Sequence, residues 1–171
     1  MSTPVTKPRA KKTPAAAAVQ PGATRPLVKS LVEFLVHGPF KRIAPGDFNP
    51  AHIIKVVEEG LPVTELIDLQ ASLAVPAERL APMLGISKAT FHRRKGAGRK
   101  LNPSVSDRVV RFAGLLGKAF KVFGNMEDAK QWLDSPQFGL GGAVPLDYAK
   151  TEVGAREVEN LLGRIEYGVY S

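Results

Sequence analysis

Leu80-Ala-Pro-Met-Leu-Gly-Ile-Ser-Lys-Ala-Thr-Phe-His-Arg-Arg94 is the stretch whose reading decides the fold. Leu80, Leu84, Ile86 and Phe91 are spaced so that two short helices bury them against each other. Gly85 falls between those helices, where a tight turn needs a residue tolerant of positive φ. Ser87 is placed to cap the second helix, its hydroxyl accepting from an orphan N–H. Ser87, Lys88, Thr90, His92 and Arg93 share the outward face of that helix, and Arg94 and Lys95 follow. A turn glycine before a basic helix is the pattern of a helix-turn-helix whose second helix enters the DNA major groove. The plainer alternative is a helical corner with a basic solvated face; glycine and basic face occurring together favour DNA. Pro82 removes a backbone donor inside the first helix, which is therefore expected to be short, kinked or to start after Ala77.

Outward from this stretch the apolar spacing stays helical. Pro62 opens a helix with Leu66, Leu69 and Leu73 as its stripe. Before it, Asn49-Pro50 starts a helix carrying Ile53, Ile54, Val56 and Val57, which Gly60 closes. Leu27, Leu31, Phe34 and Leu35 mark an earlier helix ended by Gly38-Pro39. On the other side, Gly96-Ala-Gly98-Arg-Lys100 reads as a flexible basic loop without the spacing of a nucleotide-binding P-loop. A long helix follows from Pro103 to Phe123, with Val105, Val109, Phe112, Leu116, Phe120 and Phe123 along one face. Gly114 and Gly117 would each cost up to about 1 kcal/mol in an isolated helix. Their presence implies close packing of another backbone, in this chain or a second copy.

Gly124 ends the long helix and Asn125 caps the next, whose Glu127 and Asp128 suit its positive end. Ala129, Trp132 and Leu133 are the apolar face of that helix. Residues 135–145 form a turn-rich connection. Thr151 caps a last helix from Glu152 to Glu166, with Val158, Leu161, Leu162 and Ile165 inward and Gly168 just past its end. No run alternates apolar and polar residues long enough to argue for a strand. The chain reads as all-α.

The 171 residues allow one domain, or two small ones and a tail. Hydrophobic residues at 44% supply a core, and aromatics at only 7% make that core mainly aliphatic. The net charge of +8 is unevenly spread. Residues 1–26 hold five basic residues (Lys7, Arg9, Lys11, Lys12, Arg25) and no acid. Residues 87–111 hold eight (Lys88, Arg93, Arg94, Lys95, Arg99, Lys100, Arg108, Arg111) against Asp107. Residues 125–171 reverse the balance, with eight acids and four bases. A polyanion is thus drawn to the tail and the middle, and the two halves are expected to have different partners.

Residues 1–26 have too little to bury to order themselves and read as a disordered basic tail. Residues 27–102 form a helical region containing the helix-turn-helix, and 103–171 a C-terminal domain. The chain has no cysteine, hence no disulfide or thiolate metal site. It shows neither a signal-peptide core nor the ~20 apolar residues needed to span a bilayer, which points to a cytoplasmic protein without a membrane partner. His37, His52 and His92 are scattered without metal-ligand spacing. Gly139-Leu-Gly-Gly142 follows no strand, which argues against a dinucleotide site. The C-terminal acids fall on a helical face of the kind usually left to solvent. Neither a catalytic constellation nor a cofactor site is found.

From about Ile53 to Gly168 the sequence resembles the Xre/MbcA/ParS family of antitoxins. The resemblance is carried by Gly60-Leu-Pro62, Leu84-Gly-Ile-Ser-Lys-Ala-Thr-Phe-His-Arg-Arg94 and Ser106-Asp-Arg108. It continues through Ala129-Lys-Gln-Trp-Leu133, Pro136, Gly141-Gly142, Pro145-Leu146, Thr151, Gly154, Leu161, Arg164-Ile165 and Gly168. The second group is the more specific. Pro82 and Arg94 depart from the usual helix-turn-helix pattern, Arg94 standing where an apolar residue is common.

The resemblance implies a type II antitoxin paired with a RES-family toxin, which consumes NAD. It implies a Xre-like helix-turn-helix domain followed by a small helical domain that binds the toxin and covers its active site. Repression of its own operon through operator DNA, and a homodimer within a larger complex, are implied as well. The expected DNA-binding residues are Ser87, Lys88, Thr90, His92, Arg93, Arg94, Lys95, Arg99 and Lys100, the last four through phosphates. The expected toxin-binding residues are Arg164, Glu166, Tyr167 and Tyr170, since tyrosine and arginine are frequent interface anchors. Competing readings are a helix-turn-helix regulator with no toxin and a toxin-binding adaptor without DNA binding.

Overall fold

The computed structural model describes residues 27–28, 50–97 and 100–169. The expected tail and most of the expected helix starting at Leu27 lie outside the described residues, as do Arg99, Tyr170 and the side chain of Lys95. Helix α1 (Pro50–Glu59) starts at its proline, whose fixed φ suits the first helical position. None of its residues is fully buried: Ile53 and Val56 pack on the core, while Ile54 is exposed.

Helix α2 (Val63–Leu73) begins one residue after Pro62 and buries Leu66, Leu69 and Leu73 as its spacing predicts. It also buries Glu65, whose carboxylate accepts the backbone N–H groups of Leu27 and Val28 at 2.6 and 2.8 Å.

Helix α3 (Ala77–Met83) is only seven residues long, with Pro82 near its end. The short-helix expectation holds, and the late start does not. Helix α4 (Lys88–Ala97) absorbs Gly96 and Ala97, so the basic loop expected from Gly96 is shorter than its sequence implies. Leu80, Leu84 and Phe91 are fully buried where α3 and α4 meet, and Ile86 is half-buried.

Helix α5 (Pro103–Phe123) has the predicted bounds and is the central element. Asn102 caps it, its side chain accepting from the Val105 N–H at 2.9 Å. It packs on α1 and α2 and on two of the elements that follow it, α6 (Met126–Asp134) and α8 (Glu152–Glu166); between these, a 3-10 turn (Phe138–Leu140) rests on α8 and α7 (Pro145–Tyr148) on α6 and α8. A single apolar core results, running from Leu66, Leu80 and Phe91 through Phe112 and Leu116 to Leu133, Leu146 and Val158. Among the described residues there is no strand, only the isolated bridges Pro62–Lys100 and Gln137–Ala143. The fold is all-α.

The caps proposed from sequence form. Asn125 accepts from the Asp128 N–H at 2.8 Å and Thr151 from the Gly154 N–H at 3.1 Å. Helix α8 ends in a Schellman turn: Gly168 donates to Ile165 and Val169 to Arg164, at 3.1 and 2.9 Å.

Three expectations need correction. Gly114 has no atom within 4 Å of where its Cβ would be, so among the described residues no backbone of this chain packs against it, and of the two packings expected there the one within the chain is not seen. Leu161 and Ile165 lie only half-buried beside the buried Val158 and Leu162. The acidic face of the last helix is at the surface as expected, but three of its four acids are engaged by cations of α5. Arg111 pairs with Glu152 at 3.0 Å, Lys118 with Glu159 at 2.6 Å and Lys121 with Glu166 at 2.7 Å. The matching order of these pairs shows that α5 and α8 run in the same direction.

Candidate functional site

The outward face of α4 is as expected. Ser87 caps the helix, accepting from the Thr90 N–H at 3.1 Å and donating to the Thr90 hydroxyl at 2.9 Å. Lys88, His92 and Arg93 are exposed, and His92 meets the buried Phe91 ring edge-on at 5.9 Å. The basic charge is less free than its sequence implies. Lys88 reaches back to α3 and pairs with Glu78 at 2.5 Å, and this hydrogen bond holds the Glu78 carboxyl below its usual range. Arg93 is exposed and makes no ion pair with the described residues. Arg94 is half-buried, and its buried Nη1 has no hydrogen-bond partner.

Lys100, Arg108 and Arg111 all make contacts within the fold. Lys100 bridges to Pro62 through its backbone and pairs with Glu59 at 3.7 Å, so it sits beside α1 and α2. Arg108 donates to the Leu84 carbonyl at 2.8 Å and so ties α5 to the turn between α3 and α4. Arg111 is held by Asp107 at 2.7 Å and by Glu152. Ser106 is fully buried; its hydroxyl accepts from the Leu61 N–H at 2.9 Å and donates to the Asn102 carbonyl at 3.0 Å. Ser106-Asp107-Arg108 is thus a structural fastening.

At the other end of the molecule, Tyr167 is 80% exposed, so it does not complete the core. Arg164 is half-buried with its Nε out of solvent and unpartnered, and Glu166 is engaged by Lys121. That contact, first through the hydrogen bond to Glu166, raises the Lys121 pKa above its ordinary value.

Sequence reasoning missed two further features. Arg79 of α3 bridges to Asp134 at the end of α6 and to Asp147 of α7, the latter at 3.3 Å, and so links the helix-turn-helix to the C-terminal elements. Phe138, on the 3-10 turn, is fully exposed. The acid excess of the C-terminal half was the only signal for the first, and the second had none beyond an aromatic among glycines.

The two ends of the molecule correspond to two known domains. Residues 52–114 match the family model for the antitoxin Xre-like helix-turn-helix domain. Residues 118–168 match that for the antitoxin Xre/MbcA/ParS C-terminal toxin-binding domain. The chain is 34% identical over 128 residues to the antitoxin Xre of Photorhabdus laumondii, covering 74% of this chain and 86% of that protein. It is 29% identical over 120 residues to the antitoxin Xre of Yersinia enterocolitica, covering 70% and 81%. Against the antitoxin Xre of Pseudomonas putida it is 30% identical over 115 residues, covering 66% and 69%. With the helix-turn-helix and the toxin-binding elements joined through α5, this chain belongs to the Xre family of antitoxins.

Proposed function

We propose that the protein is a type II antitoxin. It binds a RES-family, NAD-consuming toxin through its C-terminal elements, covers the toxin's active site, and represses its own operon through α4. The observation that carries this reading is the match of residues 118–168 to a toxin-binding domain, at whose end the exposed Tyr167 stands. Arg164, Glu166, Tyr167 and Tyr170 are the proposed toxin contacts; Tyr167 offers a rigid aromatic surface of the kind that anchors interfaces. Ser87, Lys88, Thr90, His92 and Arg93 are the proposed operator contacts, with Arg94, Lys95, Arg99 and Lys100 acting on phosphates. A homodimer would set two copies of α4 about 34–36 Å apart on a palindromic site. The cytoplasm, where toxin and operator meet, is the proposed location; among the described residues no helix is long and apolar enough to cross a membrane.

A second reading, a toxin-binding adaptor without DNA binding, draws on the Lys88–Glu78 pair, which takes one cation away from the groove-facing helix. Co-expression with the neighbouring toxin and a gel shift on the shared promoter separate the two. Growth rescue that is lost on deleting Tyr167–Ser171, together with a shift of the promoter fragment, is the expected result. Unchanged rescue by the deletion overturns the assignment of toxin binding to the tail. Rescue without any shift, even with toxin present, supports the adaptor.

A further inference from the structure

The fully exposed Phe138 is unlike the other apolar residues of its segment, since Leu133, Leu140 and Leu146 are all buried. It is not on a loose loop. Gln137 donates its N–H to Ala143 at 3.0 Å, and Gly142 donates to the Gln137 carbonyl at 3.0 Å. Gly141 closes back on the Phe138 carbonyl at 2.9 Å. The Gln137 side chain donates to the Trp132 and Ser135 carbonyls at 2.9 and 3.0 Å, fastening the turn to the end of α6.

The turn is also seated on α8. A Cβ at Gly139 would lie 2.6 Å from the Leu161 side chain, so the backbone rests directly on that helix. Leu140 then points into the core and Phe138 out of it. Leu161 and Ile165, four residues apart, form a half-buried apolar stripe on α8. Tyr167 follows Leu161 by six residues, roughly 9 Å along the helix axis. The turn therefore sits against this stripe at Leu161. A large apolar side chain left in water on a prepaid, hydrogen-bonded frame loses little entropy on binding, which is what makes an anchor effective.

We propose that Phe138 is an anchor of the toxin interface, entering an apolar pocket of the toxin with the half-buried Leu161 beside its turn. This rests on the reading of the chain as a toxin-binding antitoxin. The toxin is the occupant because Phe138 and the stripe both fall within the 118–168 match to a toxin-binding domain.

The test titrates the full chain into a RES-type toxin, encoded beside it and inactivated in its active site, with Phe138→Ser and Phe138→Tyr as variants. Phe138→Ser weakens binding at least tenfold while the melting temperature of the free antitoxin stays unchanged. Phe138→Tyr restores binding to within about threefold of the parent. Serine binding within twofold of the parent overturns the proposal and leaves the toxin reading intact. A parent chain that binds no toxin overturns that reading itself. If Phe138→Ser instead halves the mass of the free antitoxin in light scattering, a second copy covers Phe138 and the proposal fails.

Discussion

The guanidinium of Arg108 donates to the Leu84 carbonyl across the space a side chain on Gly85 would fill: a Cβ there would lie 2.0 Å from Nη1. Gly85 itself has φ +68°, in the left-handed region. One glycine thus serves the turn of the helix-turn-helix and admits the arginine that ties the turn to α5. Gly85→Ala is expected to cost about 1–2 kcal/mol, from strain and the displaced hydrogen bond. Arg108→Ala should cost about 1 kcal/mol. Because both act on one contact, the double variant should lose less than the sum in urea unfolding; full additivity would show that the two are independent.

On the proposed operator reading, Glu78 would compete with DNA for Lys88, with which it pairs. Glu78→Gln removes that competitor and a negative charge beside the groove-facing helix. Operator affinity is expected to rise roughly two- to fivefold at low salt. Arg93→Ala should weaken binding and lower the salt slope by about one unit. An Arg93→Ala variant that binds like its parent would show that α4 is not the contact helix.

Arg79, between Asp134 and Asp147, holds α3 against α6 and α7. Burial raises the Asp147 pKa, but Lys150 and Arg79 outweigh it, and the net value lies below the ordinary 3.8. A depressed carboxylate stabilises the fold above its unfolded pKa, and that contribution disappears as pH falls through its folded value. Arg79→Met should therefore cost under about 1 kcal/mol at neutral pH, since the groups are partly exposed. Below about pH 4 the difference from the parent should shrink, as melting curves between pH 7 and 3 would reveal.

Gly154 meets the α7–α8 corner, where a Cβ would lie 1.9 Å from the Tyr148 carbonyl oxygen. Backbone cannot swing aside as a long side chain can. Gly154→Ala should cost about 1–3 kcal/mol and loosen the seat of α8. Its melting temperature and its toxin affinity should fall together, whereas Thr151→Ala, which removes only the cap, should cost about 1 kcal/mol.

The helices, most of their caps and the turn of the helix-turn-helix were legible in the chain because each depends on neighbours within a few residues. Ser87 and Thr90, Asn125 and Asp128, and Thr151 and Gly154 are each three apart. The outward Lys88, His92 and Arg93 follow from the 3.6-residue period alone. At Gly114 the local pattern does not distinguish packing within the chain from packing by a second copy, and the described residues of this chain supply none.

By itself the sequence determined the all-α class, the bounds of α5 and α8, and the order of a basic helix-turn-helix before an acidic half. Only the tertiary structure decided which charges remain available. Arg79 and Asp147 are 68 residues apart, and Lys118 and Glu159 meet solely because α5 and α8 run side by side. Ion pairs between helices depend on packing angle and register, which no local pattern encodes. The same dependence on packing turned Leu140 inward and left Phe138 in water, an exposed aromatic where the sequence shows only a glycine-rich turn.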